Sequence, residues 1–137
     1  MKRILLIVLG IWLCSVNLFA QQWTPDDPIG KSFFPPDMIM QNQEAVNLTE
    51  SQRNSINKEM QSAQSDFVNL QWDMARESEK LKSLIENEKP SEKDVLEQLE
   101  KILAIENKVK KRQITLLIRI KNLLSHEQQE KLQQLRR

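Results

Sequence analysis

Apolar residues recur at helical spacing over two long stretches of the chain, in alternating steps of four and three. The first stripe consists of Ile56, Met60, Ala63, Phe67, Leu70, Met74, Leu81 and Leu84, with a polar residue at Glu77. The second consists of Val95, Leu99, Ile102, Val109, Leu116, Ile120 and Leu123, with polar residues at Glu106 and Gln113. The second stripe is widened by Leu96, Leu103, Leu117 and Leu124. Such heptad stripes predict two long helices, each with one apolar face.

Breaker residues set the limits of the helices. Beyond Pro36 the chain contains one further proline, Pro90, and no glycine. Few β-branched runs are present, so a sheet protein is excluded. We expect four helices, at about residues 37–46, 49–87, 91–124 and 125–136. The two long ones, joined at Lys89-Pro90, are predicted to form an antiparallel hairpin.

Two of these helices begin with the same motif, Leu48-Thr49-Glu50-Ser51-Gln52 and Leu124-Ser125-His126-Glu127-Gln128. Each is a capping box, in which the hydroxyl accepts from the third amide while the glutamine reaches back to the cap. The leucine before each cap lacks an apolar staple partner, so we expect it to pack against another helix.

The fold class is therefore all-α, a long antiparallel hairpin with two short end helices. A hairpin of this length cannot enclose all of its apolar residues. Those expected to remain exposed in a monomer are Phe67, Val68, Trp72, Ile114 and Ile118. A symmetric homodimer would cover them, and a curved monomer with an exposed groove is the alternative.

The first residues resemble an export signal: Met1-Lys2-Arg3, an apolar run and then a small residue, Ala20, before Gln21. We predict a cleaved signal peptide at residues 1–20, a flexible proline-rich arm at 21–36 and a helical domain at 37–137. An uncleaved membrane anchor is the alternative. The aromatic residues of the arm are expected to contact a partner or fold back, and they are Trp23, Phe33 and Phe34.

Composition narrows the function. Cys14, the one cysteine, lies in the predicted signal, so the mature chain forms no disulfide. The 20 Lys and Arg nearly balance the 19 Asp and Glu, which gives no reason to expect a nucleic-acid partner. The sequence has no glycine-rich phosphate loop and no second histidine for a proton relay. We therefore expect a non-enzymatic protein without a cofactor.

Two copies of the motif, each opening a helix behind an export signal, resemble the Spy/CpxP-like LTxxQ superfamily of periplasmic proteins. The first copy is intact and the second has Ser125 in place of threonine. The segment 114–124 is most similar to the heavy-metal-resistance branch. The resemblance implies a cradle-shaped helical dimer in a Gram-negative periplasm. It also implies binding of non-native proteins without ATP or, alternatively, a stress-response role as a signalling or metal-sensing accessory to a membrane-bound sensor or regulator.

Two candidate sites follow, each with a simpler alternative. A basic and apolar surface for an acidic, partly unfolded client or a partner is predicted at Lys108, Lys110, Lys111, Arg112, Ile114, Ile118, Arg119 and Lys121. The alternative is a solvated helix face. His126 is the weak candidate for a divalent metal ligand, but one histidine supplies too few donors, and we expect no metal site. A third hypothesis for the function is a structural dimer that buffers divalent ions.

Overall fold

The computed structural model describes residues 29–136. Over this range the chain is all-helical, with four helices and no strand, as predicted. The helices are α1 (Pro36–Gln41), α2 (Glu50–Ile85), α3 (Glu92–Leu123) and α4 (His126–Leu135), after a short 3-10 turn at Gly30–Ser32. The predicted signal peptide, Cys14 and Trp23 lie outside the described residues.

The two long helices pack against each other in opposite directions. Cross-helix contacts pair the start of α2 with the end of α3, and the pairing continues toward the connection between them. The pairs are Gln52 with Leu123, Glu59 with Arg119, Asp66 with Arg112, and Glu77 with Gln98. The antiparallel hairpin predicted from the stripes is confirmed. We call the part near Gln52 the base of the hairpin and the part near residues 86–91 its tip.

The first helix is shorter than the sequence suggests. A helix over 37–46 was expected, but α1 ends at Gln41 and turns follow through Asn47. The amide of Leu48 donates to the carbonyl of Gln43 at 2.8 Å, and that of Asn47 to Glu44 at 3.1 Å. Asn47 has a φ of 51°, so this is a helix-ending Schellman arrangement with asparagine in the left-handed position. The left-handed residue turns the chain directly into the first capping box.

The proline-rich arm also ends earlier than predicted. Phe34 and Pro36 were assigned to a flexible arm over 21–36, yet Phe34 is buried in the core and Pro36 begins α1. The guanidinium of Arg136 lies 5.3 Å from the centre of the Phe34 ring, a cation–π distance. Pro36 can begin α1 because the first turn of a helix does not need the amide hydrogen that proline lacks.

The core lies at the base of the hairpin. The four largest fully buried side chains come one from each helix: Ile39, Ile56, Ile120 and Leu132. Each such side chain contributes about 1.5–3 kcal/mol through removal from water. Leu48 and Leu124, the leucines before the two caps, are buried in the same cluster, as expected. The two short helices therefore close one end of the hairpin.

Nearer the tip, α3 turns a different row of residues toward α2 than the stripe predicts. Gln98 and Ile105 are buried, whereas Leu99 is 37% exposed. The expected widening by Leu96 and Leu103 is also wrong, because both are exposed. The observed row runs through Val95, Gln98, Ile102, Ile105, Val109, Arg112 and Leu116.

Hydrogen bonds to α2 explain this register. Nε2 of Gln98 donates to the backbone carbonyl of Glu77 at 2.9 Å and to its carboxylate at 2.8 Å. Buried polar groups are tolerated only when they are bonded in this way. Glu77 and Gln98 thus occupy matching polar positions of the two helices, and three leucines of α3 are left on an exposed flank.

Candidate functional site

The two motifs form the capping boxes that the sequence predicts. Gln52 N donates to the hydroxyl of Thr49 at 3.1 Å, and Thr49 N donates to the Gln52 side chain at 3.0 Å. At α4, Gln128 N donates to Ser125 at 3.2 Å and Ser125 N to Gln128 at 2.9 Å. Each box satisfies two amides that the helix start would leave unpaired.

The same two glutamines also bind each other, an interaction that the sequence pattern did not predict. Gln52 Nε2 donates to Gln128 Oε1 at 2.8 Å, and Gln128 Nε2 donates to Gln52 Oε1 at 2.9 Å. Gln52 Nε2 also donates to the carbonyl of Leu123, and Gln128 Nε2 to that of Val46. The motif is therefore a tertiary brace between the starts of α2 and α4. The sequence feature that could have predicted this brace is the repetition of the motif, with a leucine before each copy that is buried in the core.

The predicted basic surface divides into two parts. Nε of Arg112 lies 2.5 Å from the Asp66 carboxylate and its Nη2 donates to Ser62, while Nη1 is buried without a partner within residues 29–136. Arg119 pairs with Glu59 at 3.1 Å. Both arginines therefore hold α3 against α2.

The residues of the predicted surface differ in accessibility, since the side chain of Arg119 is 55% exposed and that of Arg112 is 15% exposed. Lys108, Lys110 and Lys111 are exposed, as is Ile118, whereas Ile114 and Lys121 are half-buried. Lys108 and Lys110 are two residues apart, so they point to opposite sides of the helix, about 200° apart. These lysines are close in sequence, but they lie on different sides of α3 and do not form one basic patch.

A second exposed feature lies on α2, on the side away from α3. Trp72 is 70% exposed and Val68, one turn earlier, is 46% exposed. The exposed neighbours are mostly uncharged, and they are Gln61, Gln64, Ser65, Gln71 and Ala75, while Arg76, one turn after Trp72, is charged and pairs with Asp73. We call Val68, Trp72 and these neighbours the outer α2 face. An apolar patch with a polar rim is typical of an interaction site.

The weak metal candidate lies on the surface. His126 is exposed and its Nε2 lies 3.2 Å from the Glu130 carboxylate, one turn along α4. Within residues 29–136, no group of three histidine, cysteine or acidic side chains is placed to hold a metal ion.

The contacts that Glu77 makes in the hairpin shift the pKa of its carboxyl group. Hydrogen bonds from Lys80, and then from Gln98, lower the pKa of its carboxyl from 4.5. Lys80 Nζ lies 2.8 Å from the carboxylate. The ionised form of Glu77 is thus stabilised at a position where Gln98 of α3 contacts α2.

None of the described helices combines the length and the apolar character needed to span a bilayer. Comparison with family models, curated proteins and solved structures gave no match.

Proposed function

We propose that this chain is an exported helical stress-response protein of the periplasm that binds non-native or partner proteins without ATP or another cofactor. The export part of the proposal is supported by the signal-like residues 1–20. The binding part is supported by the resemblance of the two motifs to the LTxxQ superfamily, and above all by one structural observation, the outer α2 face.

Trp72 is the residue that carries the proposal. A tryptophan on a well-formed helix with 70% of its surface in water contributes little to the fold. Val68 lies beside it at the i−4 position, so the two side chains make one continuous apolar surface. Surrounding glutamines and serines offer both donors and acceptors to an extended backbone. These properties suit shallow contact with many apolar sequences.

The exposed lysines of α3 support the same function. Lys108 and Lys111 make no ion pair within the described range 29–136 and are free to attract acidic segments over a long range. Arg112 and Arg119 are engaged with α2 instead. We therefore assign capture to the lysines and the outer α2 face, and hairpin stability to the arginines.

The proposal is tested by an aggregation assay. The protein is expressed with its own N-terminal sequence, exported and then purified. We expect near-stoichiometric amounts to suppress aggregation of an unfolding client in the absence of nucleotide. Trp72→Gln should weaken this suppression severalfold without lowering the melting temperature. Ile85→Gln is the matched control, because Ile85 is 53% exposed but lies at the end of α2.

Two results would overturn the proposal. If the client aggregates to the same extent in the presence of the unsubstituted protein, the proposed binding function is wrong. Equal loss of suppression in the Trp72 and Ile85 variants removes the outer α2 face as its site.

A further inference from the structure

A row of exposed leucines runs along α3 near the tip of the hairpin, beside the contact with α2. Leu96 is 50% exposed, Leu99 37% and Leu103 39%. Their spacing of three and four residues places them within an arc of about 60° on the helix surface. Leu103 follows the buried Ile102 by one residue, so the row is rotated about 100° from the contact with α2. Three aligned leucines are therefore left accessible on one face of α3.

The charged side chains around this row are acidic. Glu92 is exposed and lies in line with the row, one turn before Leu96. Glu100 and Glu106 are also exposed and lie on the two sides of the row, about 40° beyond Leu96 and about 20° from Leu99. We give the name acidic leucine row to this set, which consists of Glu92, Leu96, Leu99, Glu100, Leu103 and Glu106.

The three glutamates are available to a partner. Two lysines at this end of the hairpin pair with other carboxylates, Lys93 with Glu97 at 3.9 Å and Lys82 with Glu79 at 3.7 Å. The ion pairs that α3 makes within residues 29–136 do not include the glutamates of the row. Lys110, one turn after Glu106, ends the acidic section. The row is thus a short apolar strip with negative charge at its start and on both sides.

The sign of this charge and the spacing of the leucines determine the class of partner that fits. Nucleic acids, anionic lipid surfaces and acidic polypeptide segments are repelled by the glutamates. A helix that lies along α3 presents apolar anchors at the same steps of three and four residues. From Glu92 to Glu106 the row is about 21 Å long, which is the length of a helix of about four turns. Basic residues beside the anchors of such a helix would face the glutamates.

We propose that the acidic leucine row docks a basic amphipathic helix of a partner protein. The apolar residues of that helix lie on Leu96, Leu99 and Leu103, and its lysines or arginines lie on the three glutamates. The row belongs to a different helix from the outer α2 face, so docking goes beyond the proposed binding of non-native proteins and is tested independently of it.

Fluorescence anisotropy with two labelled peptides tests the docking. Both peptides are four-turn helices with leucines on one face, and beside the leucines one carries lysines and the other glutamates. We expect the exported protein to bind the lysine peptide with a dissociation constant at least about tenfold lower than the glutamate peptide. Added salt should weaken this binding. Leu99→Gln and Glu100→Lys should each raise the dissociation constant of the lysine peptide at least about fivefold.

The matched controls make the same two changes in α4, at the base of the hairpin. Leu135 is 44% exposed and Glu130 is exposed, and Leu135→Gln and Glu130→Lys should leave peptide binding unchanged. Trp72→Gln should also leave it unchanged, which separates the acidic leucine row from the outer α2 face. Far-ultraviolet circular dichroism of each variant establishes that weaker binding is not unfolding.

The proposal is wrong if the lysine peptide does not bind, or if the glutamate peptide binds equally well. It is also wrong if the α4 controls weaken binding as much as Leu99→Gln and Glu100→Lys do, or if Trp72→Gln is the substitution that abolishes binding. Sedimentation velocity tests whether a second copy of the chain covers the row instead. Self-association that Leu99→Gln abolishes, together with no binding of the lysine peptide, overturns docking of a partner helix.

Discussion

Gln52 and Gln128 lie 76 residues apart and exchange two amide hydrogen bonds at the base of the hairpin. Each side-chain oxygen also accepts the backbone amide of its own helix cap, so one pair of side chains joins two helix starts. Because Gln128 is buried, with 9% of its surface exposed, water cannot readily replace a missing partner.

Removal of one glutamine should therefore cost more than the loss of a helix cap. We expect Gln128→Ala to lower the free energy of unfolding by about 3 kcal/mol, since it breaks the cap, both hydrogen bonds between the glutamines and the one that Gln128 donates to Val46. Urea denaturation followed by circular dichroism measures this change. Gln133→Ala, an exposed glutamine of the same helix, should change stability by less than about 0.5 kcal/mol. Equal effects at both positions would contradict the brace.

Asn47 holds the chain in the left-handed region between α1 and α2. A β-branched residue is strained there, so Asn47→Val should destabilise the protein by about 1–2 kcal/mol. Asn47→Gly fits the same conformation without a side-chain clash and should be close to neutral. Thermal unfolding of the two variants distinguishes backbone strain from loss of the asparagine side chain, because both lack that side chain.

Glu77 makes the hairpin sensitive to acid. Its pKa is lowered in the folded protein by the Lys80 and Gln98 hydrogen bonds, so the unfolded chain takes up the proton first as the pH falls. The stabilisation is complete above pH 4.5 and is lost as the pH falls through the lowered value. We expect the difference in unfolding free energy between the unsubstituted protein and Glu77→Gln to shrink below pH 4.5. The neutral neighbour substitution Ser78→Ala should give a difference that stays constant with pH, and an equally constant difference for Glu77→Gln would exclude this role.

Several features of the fold are decided by short stretches of sequence. The starts of α2 and α4 follow from Thr49 and Ser125, because a hydroxyl cap and its glutamine act within one turn. The antiparallel hairpin follows from two long apolar stripes and the break at Pro90. The burial of Leu48 follows from the polar residue at its staple position, which leaves it to pack on another helix.

Other features depend on partners that are distant in sequence. In α3, Gln98 and Leu99 compete for the same contact, and the pattern alone favours the leucine. The glutamine is buried because Glu77, on the other helix, satisfies its amide, and the leucine is displaced to the flank. The predicted basic surface is divided for the same reason, since Asp66 and Glu59 hold the two arginines.

By itself, the sequence determined the helices, their caps and their antiparallel order, because capping and apolar periodicity act over a few residues. Tertiary structure alone decided which of two adjacent rows faces the hairpin, and that the two motif glutamines join. The physical reason is that a buried polar side chain is stable only when its partner is in place, and that partner lies on another helix.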